Sequence, residues 1–304
     1  MVYSQSGIQR AIQAQDKTME IPFYQVDVFT NKIFGGNPLA VFTNGQNFAE
    51  EDLQKVAREM NLSETTFVYP SSTDNADFDV RIFTPTSEIP FAGHPTLGTA
   101  YVLRKYKSVN ASTLNLNFKN GIISVWTEED KVYMQHPPAE TLHELNPSEK
   151  IANALGLPLK ALDESLPVQV VSTGFPALLV PINKINDINE ININSQILHE
   201  VLSPLGIGMI YPFCRETRSP ENTVHARAFA PSLGIPEDPA TGSVAGAMGA
   251  YWARINGGNV INMVIEQGYE MQRPSLIYVS VSKDNKISVG GQCKPVFKGC
   301  MNTG

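Results

Sequence analysis

Cysteine is scarce in this chain: Cys214, Cys293 and Cys300 are odd in number and lack CxxC spacing. Neither a disulfide framework nor a zinc ribbon is indicated, and the three read as free thiols of a reducing cytosol. Positive charge is also short, with 23 Lys and Arg against 30 Asp and Glu and a net charge of -7. That leaves no basic footprint for nucleic acid or an anionic membrane surface, so any anionic ligand must be held by local features. No apolar run of about 18 residues occurs, and the N-terminus lacks the charged-then-apolar pattern of a signal peptide. The expectation is a cytoplasmic protein with no membrane partner. His136, His143, His199 and His225 show no metal-ligand spacing and HExxH is absent, so no metal is expected.

What is present fits a globular protein. Hydrophobic residues make up 42% of 304 residues, enough for a real core, and the length suggests two domains of about 150 residues each. Residues 1–19 are polar and Gln-rich and read as an N-terminal extension. The first domain is expected over 20–135 and the second over 136–294, with a last strand at 295–304 that returns to the first. From Phe23, "FYQVDVFT" alternates as a strand; a Gly-Gly-Asn-Pro turn at 35–38 leads into "LAVF". Leu53, Val56, Ala57 and Met60 fall at helical spacing, and "DFDVRIFTP" reads as a half-buried strand ending at Pro85. Strands dominate 113–135. The second half is read as short helices at 148–155 and 195–203, strands near 168–172, 176–182 and "GMIYPF", and a small-residue helix from 239 to about 255. Many short strands around two long apolar helices make this an α+β chain rather than a doubly wound sheet.

One stretch occurs twice. "RIFTPTSEIPFAGHPTLGTA" from Arg81 lies over "RAFAPSLGIPEDPATGSVAG" from Arg227, with Arg, Phe, Pro, Ile and Pro matching at an offset of 146. After a small gap, His94-Pro95 and Gly98 lie over Asp238-Pro239 and Gly242 at an offset of 144. An ordered series at half-chain distance indicates two duplicated domains whose junctions face one cleft.

Each junction reads as a helix start. Asp238 is a favoured N-cap and Pro239 a favoured first helical residue, with "HPTLGT" a weaker version. First-turn amides at the positive end of a helix dipole bind anions, and Gly93, Gly98, Gly242 and Ser243 leave room for a substrate carboxylate. Glycines at 242, 246 and 249 are not a GxGxxG fingerprint and are expected to let a central helix pack closely against strands. Taken singly, Asp238 is an ordinary cap, His94 a polar turn residue and Glu64 a loop carboxylate. Together they make a set able to move a proton on or off a carbon acid without a cofactor.

At "QVDVFTNKIFGGNPLAVF", "NLSETTFVYP", "RIFTPTSEIPFAGHPTLGTA", "RAFAPSLGIPEDPATGSVAGAM" and "EQGYEMQRPS" the chain resembles the PhzF family of phenazine-biosynthesis-like isomerases. The resemblance implies a diaminopimelate epimerase-like fold: two pseudo-repeated domains, each a curled, barrel-like mixed sheet around a central helix, assembled as a homodimer. It implies Glu64 as general base, His94 and Asp238 as proton-transfer partners, and Ser63, Gly93, Thr241, Gly242 and Ser243 lining the pocket. The implied reaction is cofactor-independent isomerisation of a dihydro-hydroxyanthranilate-like carboxylate. An amino-acid racemase of the same fold and a non-catalytic binding scaffold are the alternatives. Two departures stand out. The family's "MGRPS" carries Gln272 in place of Gly, and Ala92 and Thr241 stand where racemases of this fold place two cysteines.

Overall fold

A computed structural model describes residues 19–303; the expected extension therefore lies outside the described residues, except Met19, which opens the first strand. The strands, in chain order, are β1 Met19–Val28, β2 Asn37–Phe42, β3 Glu64–Pro70, β4 Phe78–Phe83, β5 Glu88–Ile89, β6 Thr113–Phe118, β7 Gly121–Glu128, β8 Lys131–His136 and β9 Glu140–Leu145. They continue as β10 Val168–Ser172, β11 Pro176–Ile182, β12 Ile210–Cys214, β13 Val224–Ala226, β14 Ala228–Ala230, β15 Ile235–Asp238, β16 Ile261–Gln267, β17 Ser275–Val281 and β18 Ile287–Thr303. The helices are α1 Glu50–Met60, α2 Gly93–Lys107, α3 Glu149–Ala154, α4 Ile185–Asn189, α5 Ser195–Leu202 and α6 Gly242–Ile255.

Eight strands close on themselves in the order β1, β2, β3, β4, β6, β7, β8, β18 and back to β1. Closure leaves no free edge and surrounds α2, whose first eight residues are all buried. A second sheet runs β9, β10, β11, β12, β13, β16, β17, β18 and curls around α6. The strand β18 serves both: Ile287–Gly290 pairs with β17, Ile287–Gln292 with β8, and Cys293–Thr303 with β1.

The repeat is visible in the pairing. From β1 the first sheet reads antiparallel, parallel, antiparallel, parallel, antiparallel, antiparallel; from β10 through β11, β12, β13, β16, β17 and β18 the second reads the same. The matched arginines also do the same work. Arg81 forks onto Glu88 at 2.8 and 3.0 Å with Phe83 beneath it, and Arg227 forks onto Glu237 at 2.7 and 2.8 Å with Phe229 beneath it.

Small residues let α6 sit deep. A Cβ on Gly246 would lie 2.5 Å from the His136 ring, and one on Gly249 2.5 Å from Val279. The helix α1 packs Leu53, Val56 and Ala57 inward, as their spacing predicted, and stops at Asn61 in the left-handed conformation. Several elements differ from the sequence reading. The strand β4 ends at Phe83 rather than Pro85, and β9 and α4 arise in polar stretches with no clear periodicity.

Candidate active site

The segment Asn37-Pro38-Leu39, at the start of β2, is the hub of the site. Leu39 pairs in parallel register with Glu64, the first residue of β3. The main chain of Pro38 hydrogen-bonds the ring of His94, in the first turn of α2. Asn37 donates from Nδ2 to Asp238 Oδ1 at 2.8 Å and to the Ala240 carbonyl at 3.1 Å. Three consecutive residues thus bring Glu64, His94 and Asp238 to one place.

Their electrostatics differ. Glu64 is 8% exposed and His94 5%, with Oε2 and Nε2 3.1 Å apart but not aligned as a hydrogen bond, so neither atom has a protein partner. Burial, reinforced by the charge of Asp238, pushes Glu64 up to about 8. Burial pushes His94 down to about 3, against its bond to Pro38, so the imidazole is neutral. Asp238 is raised less, to about 6: burial lifts it, while bonds from Thr241 and Asn37 hold it down. A neutral acid, a neutral base and an ionised carboxylate therefore coexist near pH 7, the separation on which acid–base assignments rest.

The helix starts meet head to head. A Cβ on Gly93 would come 3.1 Å from the Ser243 amide nitrogen and 3.2 Å from the Gly242 carbonyl carbon. Neither helix has a side-chain cap: α2 begins after Ala92, and α6 begins after Thr241, whose hydroxyl donates instead to Asp238 at 2.6 Å. Two positive helix ends in contact repel, and an anion among their amides relieves that repulsion. Ser63, partly exposed, immediately precedes Glu64.

Two sequence readings are corrected here. Asp238 is not an N-cap and Pro239 is not helical: Asp238 ends β15 and α6 opens at Gly242, because the Asp238 carboxylate is engaged by Asn37 and Thr241 rather than by helix amides. The match of His94-Pro95 to Asp238-Pro239 is consequently not the structural one. The helix starts correspond as Gly93 to Gly242 and His94 to Ser243, leaving Ala92 and Thr241 at the N-caps. Sequence reasoning did not single out Asn37, read only as part of a turn, or Gln267 and Tyr211. Gln267 stands in the quoted stretch "EQGYEMQRPS", but only contacts reveal its part. Cys214, Cys293 and Cys300 are all free, and none belongs to this cluster. Among the described residues no group of His, Cys, Asp and Glu has the arrangement of a metal site, and no helix is long and apolar enough to cross a membrane.

Residues 26–299 match the family described as phenazine biosynthesis-like protein. A trans-2,3-dihydro-3-hydroxyanthranilate isomerase from Pseudomonas aeruginosa is 34% identical over 259 residues, covering 83% of this chain and 87% of that protein. The crystal structure of a PhzF-family phenazine biosynthesis protein from Bacillus anthracis superposes with a TM-score of 0.86 at 29% identity, covering 93% of this chain and 99% of that one. At the level of fold alone, a hydroxyproline epimerase from Agrobacterium vitis superposes with a TM-score of 0.62 at 9% identity over 93% of this chain and 92% of that one. With the matched segment running through both sheets and the shared β18, this chain belongs to the phenazine biosynthesis-like PhzF family of isomerases.

Proposed function

We propose that this isomerase shifts a proton between carbons of a small carboxylated cyclic substrate, of the dihydro-hydroxyanthranilate type, with Glu64 as the base. The observation that carries the reading is the juxtaposition of Glu64 and His94, 3.1 Å apart and both nearly closed to solvent, with the paired starts of α2 and α6. The amides of Gly93, His94, Gly242 and Ser243 take the substrate carboxylate and stabilise charge that develops toward it as the carbon acid ionises. Asp238 and the buried, unpartnered Asn37 Oδ1 present acceptors to an N–H or O–H of the substrate. Glu64 removes a proton from one carbon and returns it to another, and neutral His94 exchanges a proton with the Glu64 carboxyl or a substrate hydroxyl. Every proton in this scheme moves between substrate and side chains, so the reaction calls for no cofactor. A buried base whose burial raises its proton affinity is well matched to a weak carbon acid.

Racemisation by a thiol pair has no support at the helix caps, which carry Ala92 and Thr241. A homodimeric, cytoplasmic enzyme remains part of the proposal on family grounds.

The test is Glu64→Gln, which preserves shape and removes the base. Turnover of a dihydro-hydroxyanthranilate-type substrate is expected to fall by at least about a hundredfold with melting temperature and ligand binding nearly unchanged. Full activity in E64Q rejects the role. Because ionised Glu64 is the active form, wild-type kcat/KM should rise with pH toward a plateau above about 8.

A further inference from the structure

Gln267, at the end of β16, is fully buried and uses both ends of its carboxamide. Its Oε1 accepts from the Tyr211 hydroxyl at 3.0 Å and from the Thr241 amide at 3.1 Å. Its Nε2 donates to the Asp238 carbonyl at 2.7 Å and to Thr241 Oγ1 at 2.8 Å. Two of these partners belong to the main chain and leave no choice: an amide N–H only donates and a carbonyl only accepts, so the orientation of the carboxamide is determined. Thr241 Oγ1, already accepting from Gln267, has its one hydrogen left for Asp238 Oδ2. Tyr211, whose ionisation burial makes still harder, stays a donor.

We propose that Gln267 is a positioning residue of this site, which forces the Thr241 hydroxyl to donate to Asp238 and thereby keeps that carboxylate an acceptor facing the substrate. The chain of bonds runs one way, from Tyr211 through Gln267 and Thr241 to Asp238. Asn37 Nδ2 donates to the other carboxylate oxygen, so adding a proton to Asp238 weakens hydrogen bonds made to the charged form. The groups that face Asp238 are Asn37 from β2, Glu64 from β3, Tyr211 from β12 and, on its own strand, Glu237, which is neutralised by Arg227. Glu64 receives no comparable donors. Gln267 therefore separates the two carboxyl groups functionally while touching neither carboxylate. The same carboxamide holds Thr241 at the cap of α6, so one residue sets both the acceptor and the helix end that receives the substrate carboxylate.

The inference rests on the reading that Asp238 meets the substrate, but its test needs no substrate. In protein carrying [4-13C]aspartate, with the Asp238 signal assigned by its loss in Asp238→Asn, the carboxyl is titrated by 13C NMR. Thr241→Val is expected to raise the Asp238 midpoint by about one pH unit or more, and Gln267→Met by a smaller amount in the same direction, since hydrogen bonds to the charged form hold a carboxyl down. Thr241→Ser, which restores the hydroxyl, is expected to titrate as wild type. A midpoint unchanged in either T241V or Q267M, or a shift in T241S as large as that in T241V, overturns the proposal. If Q267M does not fold, Gln267→Asn, too short to reach the Thr241 hydroxyl from the same backbone, is titrated in its place under the same criterion. A residue that merely supported the fold would lower melting temperature without moving the midpoint. Because the titration is substrate-free, its outcome and that of E64Q turnover are independent.

Discussion

Gln272 occupies the left-handed region at φ +57°, in the turn where Gln272 N bonds the Tyr269 carbonyl and Arg273 N bonds the Gly268 carbonyl. A glycine, which the resemblance leads one to expect at this position, would be free of the crowding that a Cβ in this conformation meets from the main chain. The exposed Gln side chain makes no hydrogen bond that offsets the cost. Gln272→Gly is therefore expected to stabilise the protein by roughly 0.5–1 kcal/mol, the strain relieved exceeding the added entropy of the unfolded chain. Urea unfolding measures this, and a lower midpoint for Q272G at unchanged slope contradicts it. The same stretch shows what sequence can and cannot convey about single residues. The need for an unusual turn is legible from a departure in a motif, whereas the four-way contact of Gln267 depends on strands 56 residues apart in sequence. The helix start that Asp238-Pro239 suggests fails for a related reason. Asp-Pro is a good local helix start, but tertiary hydrogen bonds took the carboxylate first.

Among elements, a densely charged contact lies where β13 meets β16 and the turn that follows it. The ring of His225 is fully buried with Nδ1 3.0 Å from Glu266 and Nε2 3.0 Å from Glu270. Glu266 also accepts from the Arg218 and Ser219 amides and from Asn222, and Glu270 accepts from Arg218. Both carboxylates are thus ionised acceptors, which requires an imidazolium between them. Burial opposes the charge, but the bonds to Glu266 and Glu270 win and raise His225 above its ordinary value of 6.5. Glu270 is held down at about 2: burial works against ionisation, and His225 and Arg218 overcome it. The signs follow from linkage. The histidine contribution is full below about pH 6.5 and is lost as pH rises through the raised value; the Glu270 contribution is present above about pH 4.5 and is lost as pH falls toward 2. Unfolding free energy should accordingly decline from pH 6 to pH 9, and His225→Gln should be less stable at pH 6 with that decline flattened. An equally steep decline in H225Q assigns it elsewhere. Elements with strong periodicity, such as α1 and the β6 to β8 meander, were legible in sequence. The strand β9 was not, because its side chains are mostly exposed and little hydrophobic alternation marks it.

Across the whole molecule, the site exists only where the two sheets are held in register, and Arg273, like Asn37, is a side chain that spans them. From the turn between β16 and β17 it donates to the Gly35 and Gly36 carbonyls at 2.7 Å and to Asp27 Oδ1 at 2.7 Å. The Phe34 amide takes the other oxygen of Asp27. Further main-chain bonds, Gly36 N to the Pro274 carbonyl and Leu276 N to the Phe29 carbonyl, run beside it. Asn37 follows Gly36 directly, so the grip of Arg273 on this loop positions the residue that holds Asp238. The repeated stretches at Arg81 and Arg227 announced that two junctions exist; that they abut depends on this latch, formed by residues 246 apart. Arg273→Met leaves Asp27, only 2% exposed, without its cation, and should cost on the order of 3–5 kcal/mol at neutral pH. Burial already raises the Asp27 carboxyl against the pull of Phe34 and Arg273, and losing the arginine raises it further. A raised carboxyl destabilises only above its unfolded value near 3.8, so the part of the R273M deficit that comes from the stranded charge should be small near pH 4 and grow with pH until Asp27 ionises in the folded state, on top of a pH-independent loss of the carbonyl contacts. Asp27→Asn combined with R273M removes the stranded charge and should recover part of the loss and flatten its pH dependence. Urea unfolding of the single and double variants at pH 5 and 8 measures both effects. A deficit in R273M that is independent of pH and untouched by D27N would show that the latch works through its carbonyl contacts alone.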